Sequence, residues 1–215
     1  CLLYASVLIL TANGARGDTF GTGLNAFTVD FVTIGNEGNA DDAGAGGGLY
    51  SSPYGGVGYN YRMAVTEVPE DWIVKATALG LTNVDVTGGP AARPARFMKW
   101  YEAAAFVNWL NTSTGHQAAY DLTFSGGWVM NLWASGDAWQ ADGQNLYRHK
   151  DAYYFLPSED EWYKAAFHQN DGATANYWDY ATGGNAIPGY NQGSTFADTA
   201  IYNGGPGAPS VPADV

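Results

Sequence analysis

Thiols are almost absent. The one cysteine among 215 residues is Cys1, so no intramolecular disulfide and no Cys-x-x-Cys zinc or redox pair can form. Positive charge is scarce too. Nine Lys and Arg stand against 21 Asp and Glu, a net charge of -12, and such a surface repels polyanions. That excludes nucleic acid as a partner and leaves cations or neutral ligands such as sugars. The three histidines, His116, His149 and His168, form no His-x-x-x-His or His-Glu-x-x-His arrangement and are read as surface or loop residues rather than metal ligands. A Gly-x-Ser-x-Gly elbow and a Gly-x-x-x-x-Gly-Lys phosphate loop are both missing. No apolar run is long enough to cross a bilayer.

What the chain does contain is aromatic rings and glycine: 8 Trp, 15 Tyr, 9 Phe and 29 Gly, with 46% hydrophobic residues. That composition argues against disorder and for many turns. The length suits one domain with a sizeable core, and neither an internal repeat nor a linker divides it. The apolar run from Leu2 to Leu10 suits a signal-peptide core, with Ala15-Arg16-Gly17 supplying small residues for cleavage before Asp18. Residues 1–17 are therefore expected to be a signal peptide, incomplete at its start because an initiator Met and a basic segment do not precede it. The competing reading is a buried first strand.

Phe27, Val29 and Phe31 alternate with Thr28 and Asp30 in a half-buried strand to Ile34, and Tyr59, Tyr61, Met63 and Val65 alternate likewise. A long hairpin with an elaborate tip joins them. Pro69 at the first helical position, Glu70 and Asp71 in the first turn and Gly80 beyond Leu79 punctuate a helix carrying Trp72, Ile73, Ala76 and Leu79. Thr82 to Thr87 reads as a short strand. A helix from about Tyr101 to Leu110 stacks Ala103, Ala104, Val107 and Leu110. From Thr112 to Lys150 the pattern loosens into a polar and aromatic insertion, and beyond Phe167 the chain is loop-like. The fold class is α+β, with short helices on small antiparallel sheets.

Gly21-Thr22-Gly23-Leu24-Asn25-Ala26 matches a dinucleotide fingerprint in letters only, since a strand pattern follows it where a helix is required. It is a turn. Asn36, Glu37, Asn39, Asp41 and Asp42 offer oxygen ligands for calcium without EF-hand spacing, and Asx-turn chemistry accounts for the same residues. Asn111-Thr112-Ser113 is a glycosylation sequon, meaningful only in a host that reads it. Trp128, Trp133, Trp139, Tyr147, Tyr177, Trp178 and Tyr180 lie in loop-like segments, where they either stack on sugars or fill the core of a loop-rich domain.

Leu156-Pro157-Ser158-Glu159-Asp160-Glu161-Trp162 begins a helix. Ser158 and Glu161 form a capping box, the acidic run fits the helix dipole, and Trp162, Ala165 and Ala166 make an apolar stripe. This run resembles a hallmark of the sulfatase-modifying factor family, which includes the formylglycine-generating enzymes. A second block, Arg93 to Leu110 with Trp100, Asn108 and Trp109, is similar to another family hallmark, although Ala95 and Met98-Lys99 depart from it. Asp18-Thr19-Phe20-Gly21-Thr22-Gly23 and Tyr177-Trp178-Asp179-Tyr180-Ala181-Thr182 are also familiar. The resemblance covers residues 18–215 and is nearest to exported bacterial proteins that end in a Pro-Glu-Pro sorting tail.

That resemblance implies a C-type-lectin-like fold, truncated at its C-terminal part, in an extracellular or surface-bound bacterial protein. Its membrane contact would come only through the signal peptide or a missing C-terminal tail. It also implies structural calcium, for which Asn203 is the nearest match, although Ile201 stands where the liganding Asn belongs. Formylglycine generation needs a copper-binding cysteine pair from the family's last third, which this sequence does not supply. The expectation is thus a non-catalytic module binding glycans or a matrix component. The alternatives are a copper oxidase whose cysteines lie beyond Val215, and a structural envelope protein.

Overall fold

In the computed structural model, residues 16–42, 44, 53–86, 88–190 and 199–200 are described. The expected signal-peptide core and Asn203 lie outside them. The architecture is mixed, with three α-helices and small sheets among the described residues. Strands β1 (Arg16–Phe20), β2 (Phe27–Ile34) and β3 (Tyr61–Ala64) form an antiparallel sheet in the order β1-β2-β3. Phe27 pairs with Phe20, and Ile34 with Tyr61. As the alternation demands, Phe27 and Val29 are buried while Thr28 and Asp30 are exposed. The Gly-x-Gly run is the β1–β2 connection, a single 3-10 turn at Gly23–Asn25. Gly21 has φ +72, and a Cβ there would lie 2.4 Å from the Asn25 carbonyl oxygen, so glycine is required.

Helix α1 spans Glu70–Ala78, with Pro69 as its cap rather than its first helical residue. Ile73 and Ala76 are buried as expected, and so is Glu70, whose carboxylate accepts from the Gly88 N–H at 3.0 Å. Helix α2 spans Trp100–Ser113 and buries Ala104, Ala105, Phe106, Val107 and Leu110. Buried positions this closely spaced mean that α2 is covered on more than one side. Ala105, Phe106 and Leu110 join Phe20, Phe27, Val29 and Ile73 in one core cluster, while Ala104 and Val107 pack with Ala119, Tyr120 and Ala152 in a second.

Thr82 to Val86 forms no strand. Its backbone is held by a side chain instead: the buried Glu102 carboxylate accepts from Asp85 N–H and from Lys99 N–H, the latter closing the start of α2. The segment expected to be an irregular insertion holds two antiparallel pairs, β4 (Asp121–Phe124) with β5 (Trp128–Asn131) and β6 (Ala138–Trp139) with β7 (Asn145–His149). Helix α3 is Glu159–Phe167, and the two-residue strands β8 (Gly189–Tyr190) and β9 (Thr199–Ala200) pair in parallel.

The stripe expected on α3 is not its buried face. Trp162 is 54% exposed and Ala165 and Ala166 are half-buried, whereas Glu161 and Lys164 are 1% and 2% exposed. Charged residues can turn inward here because each finds a partner. The Lys164 ammonium donates to the Asn36 carbonyl at 2.9 Å, and burial holds its pKa below the ordinary lysine value.

Candidate ligand-binding site

The Ser158 box closes as expected. Glu161 N–H donates to Ser158 Oγ at 3.2 Å, and Ser158 N–H donates to Glu161 Oε2 at 2.6 Å. The same carboxylate also receives both arms of the Arg148 guanidinium from β7, each at 2.8 Å, and the phenol of Tyr59 at 2.5 Å. Arg148 lies over the rings of Phe155 and Trp139, at 3.9 and 5.2 Å from their centroids. Burial pushes the Glu161 carboxyl up, but the bonds and charge of Arg148, with Tyr59 and the Ser158 N–H, outweigh it and hold the pKa below the ordinary value. Burial and the Glu161 carboxylate raise Tyr59 to about 12.

This network fixes the segment ahead of α3, and Leu156 and Pro157 form a wall shared by two concavities. One is an apolar cleft of about 570 Å³ between β3, α2 and residues 152–157. The other is a shallow hollow of about 330 Å³ lined by Trp100, Tyr120, Asn145, Tyr147 and Ser158 among others. In the hollow, Trp100 is 45% and Tyr147 is 51% exposed. Trp100 stands edge-on to Tyr120, centroids 5.2 Å apart, so its indole is held in place. Asn145 Oδ1 accepts from Tyr147 N–H at 3.0 Å, which leaves the carboxamide N–H₂ to donate to a ligand. Arg148 contributes little net charge there because Glu161 neutralises it.

Of the seven aromatics singled out from sequence, Tyr147 lines the hollow and the others disperse, and no two of the seven are in ring contact among the described residues. Trp128 on β5 packs against the first core cluster and donates its indole N–H to the Asn83 carbonyl at 3.1 Å. Trp133 donates to the Ala119 carbonyl at 3.0 Å and stands against His149. Tyr177 is buried; its hydroxyl accepts from Asn39 Nδ2 at 2.6 Å and donates to the Ala40 carbonyl at 2.9 Å. It also packs so closely on Gly55, with φ +95, that a Cβ there would lie 2.6 Å from the phenol oxygen. Trp178 is half-buried with its backbone N–H on the Phe167 carbonyl, and Tyr180 bridges to Gly184. Trp139 alone of the seven lines the cleft.

Of the motif residues, Trp100, Pro157 and Ser158 line the hollow, while Asn108 clasps the backbone of Tyr120, donating to its carbonyl and accepting its N–H. Trp109 stacks on Phe27 and Phe106 in the core. Glu159 and Asp160 stand in the first turn of α3, Asp160 also accepting from Gly55 N–H at 3.0 Å. Asn39, Asp41 and Asp42 bind backbone N–H groups or tyrosine hydroxyls, so the loop acids act as braces. Asn145, Arg148 and Tyr59 were not singled out from sequence. The alternation around Tyr147 was the available signal, but the loose pattern around it concealed the strand.

No protein-family model, no curated protein and no solved structure matches the chain.

Proposed function

We propose that the chain is a sulfatase-modifying-factor-like domain of C-type-lectin-like architecture, acting as a non-catalytic binding module at a bacterial surface, and that its ligand is a neutral glycan. The observation that carries this reading is the hollow, where two half-exposed rings, Trp100 and Tyr147, flank a carboxamide donor, Asn145. Sugar rings present C–H faces that stack on such platforms and hydroxyls that need planar hydrogen-bonding partners. Aromatic side chains with a fixed orientation lose little conformational freedom on binding. The acidic surface favours neutral over anionic glycans. The Leu2 to Leu10 run supports export, and the two hallmark blocks support the family assignment.

A glycan array followed by calorimetry on the best neutral ligand tests this. Trp100→Ala and Tyr147→Ala should each weaken binding by at least about tenfold, or about 1.4 kcal/mol. Unchanged affinity in both variants, or no neutral glycan bound at millimolar concentration, would overturn the proposal.

A further inference from the structure

The larger cleft is built differently from the glycan hollow. Its floor is the apolar face of α2, including Ala103, Phe106, Val107 and Leu110, and one wall is the run of six consecutive residues 59–64. Side chains of a strand alternate between two faces. Tyr59 and Asn60 lie ahead of β3, but all four residues of the strand, Tyr61–Ala64, line the cleft, so the strand's edge borders it, as do Val29 and Phe31 of β2.

β3 is the last strand of its sheet, pairing with β2 on one side and with no other strand among the described residues. The bond from Val65 N–H to the Asp30 carbonyl, 2.9 Å, sets the phase of that pairing. By the alternation of an antiparallel ladder, Met63 and Tyr61 turn their backbone groups to β2. Arg62 and Ala64 turn theirs outward.

The opposite wall, residues 152–157, holds no strand and bends at Tyr153 and Tyr154. Tyr154 bonds through its N–H and C=O to the Asn111 carboxamide, and Leu156 through both groups to the Tyr120 hydroxyl.

We infer that this cleft is a strand-acceptor groove for an extended peptide segment of a partner protein, with alternating apolar side chains and basic flanks. The peptide adds to β3 through the outward N–H and C=O groups of Arg62 and Ala64, and seats its apolar side chains on α2. Two features select a peptide over an apolar small molecule: an unpaired edge asks for backbone partners, and the lining places that edge along the cleft. The basic flanks follow from the net charge of -12 and from the exposed Glu67 at the cleft. This inference concerns a different site from the glycan hollow and stands independently of it.

The test uses the full 215-residue chain and a fluorescent peptide of about eight residues, alternating Val and Thr between terminal lysines, read by anisotropy. Two versions of the peptide carry N-methyl groups on alternate residues, one for each backbone edge. Saturable binding is expected, with at least one N-methylated version weakened by about tenfold or more. Ala64→Pro should weaken the parent peptide similarly, since it removes an outward N–H and leaves the β2 ladder intact. If that variant misfolds by circular dichroism, the methylated peptides still decide the matter. Equal binding of all three peptides would overturn the inference in favour of a simple apolar sink. Absence of saturable binding at millimolar peptide, or a concentration-dependent dimer in sedimentation that the peptide does not compete with, would also overturn it.

Discussion

Replacing Glu161 with Gln keeps the shape of the side chain and removes its charge, leaving Arg148 buried without a counter-ion. The two residues are 1% and 3% exposed, so water cannot take the place of the lost partner. Breaking such a pair from one side destabilises by about 3–5 kcal/mol. Against a total stability of roughly 5–15 kcal/mol this is a large fraction. For a chain of this size it lowers Tm by roughly 6–20 °C.

Urea unfolding at neutral pH, followed by tryptophan fluorescence and circular dichroism, measures the effect as a fall in midpoint at unchanged slope. The acid limb offers a second readout. The folded pKa of Glu161 lies below its unfolded value, so its contribution is present above the unfolded pKa of about 4.3 and is lost as pH falls through the folded one. Glu161→Gln should therefore lose less stability than the parent chain on acidification. The paired change Arg148→Met with Glu161→Leu removes both charges and should recover most of the loss. A cost under about 1 kcal/mol for Glu161→Gln, or a double variant as unstable as the two single losses added, would refute the reasoning.

Asn111→Leu should destabilise by about 2–4 kcal/mol in the same urea assay, because Asn111 is 0% exposed and its carboxamide binds Tyr153 N–H, Tyr154 N–H and the Tyr154 carbonyl. For the same reason the Asn111 sequon should stay unmodified when the folded chain meets an oligosaccharyltransferase, as intact-mass measurement would show. Tyr59, Tyr120 and Tyr163 are all raised to about 12, chiefly by burial. Phenolate absorbance should show a group of tyrosines titrating well above the exposed ones, and the stability they lend should be full below about pH 10 and fall as pH rises toward 12.

The parts of this fold legible in the sequence are those in which local pattern and local partner coincide. Phe27, Val29 and Phe31 alternate because one face of β2 meets the core, and Ser158 and Glu161 are a box because the two groups are three residues apart. The second role of Glu161 was not legible, since Arg148 lies 13 residues upstream and Tyr59 102 residues away. Counting apolar letters chose Trp162 for the inner face of α3, but hydrophobicity orients a helix only where polar neighbours have no buried partners. Thr82 to Thr87 has strand-forming residues, yet Val86 is exposed and the Glu102 carboxylate occupies the Asp85 N–H that a ladder would use. The β4–β5 hairpin had a turn signal in Ser125-Gly126-Gly127, where Gly126 adopts φ +70. The polar and aromatic residues around it masked the two short strands. The hollow was partly visible: Trp100 and Ser158 belonged to recognised motifs and Tyr147 to the candidate aromatics, while Asn145 was not singled out and tertiary folding alone brings the four together.

The polar docking of α3 explains why both concavities hold their shape. A helix of nine residues is too short to persist by itself in water, and an apolar stripe would fix its depth better than its register, because dispersion contacts are tolerant of sliding. Glu161 and Lys164 remove that tolerance. The fork of Arg148 accepts a carboxylate in one geometry, and the Lys164 ammonium reaches a single carbonyl, that of Asn36, on the loop after β2. Two buried charged anchors, three residues apart on one helical face, fix both the rotation and the axial position of α3. Pro157 and Ser158, immediately ahead of it, can then occupy only one place, with the backbone of Leu156 tied to Tyr120 from the other side. The wall between the aromatic hollow and the apolar cleft is rigid because the residues behind it are charged, buried and paired.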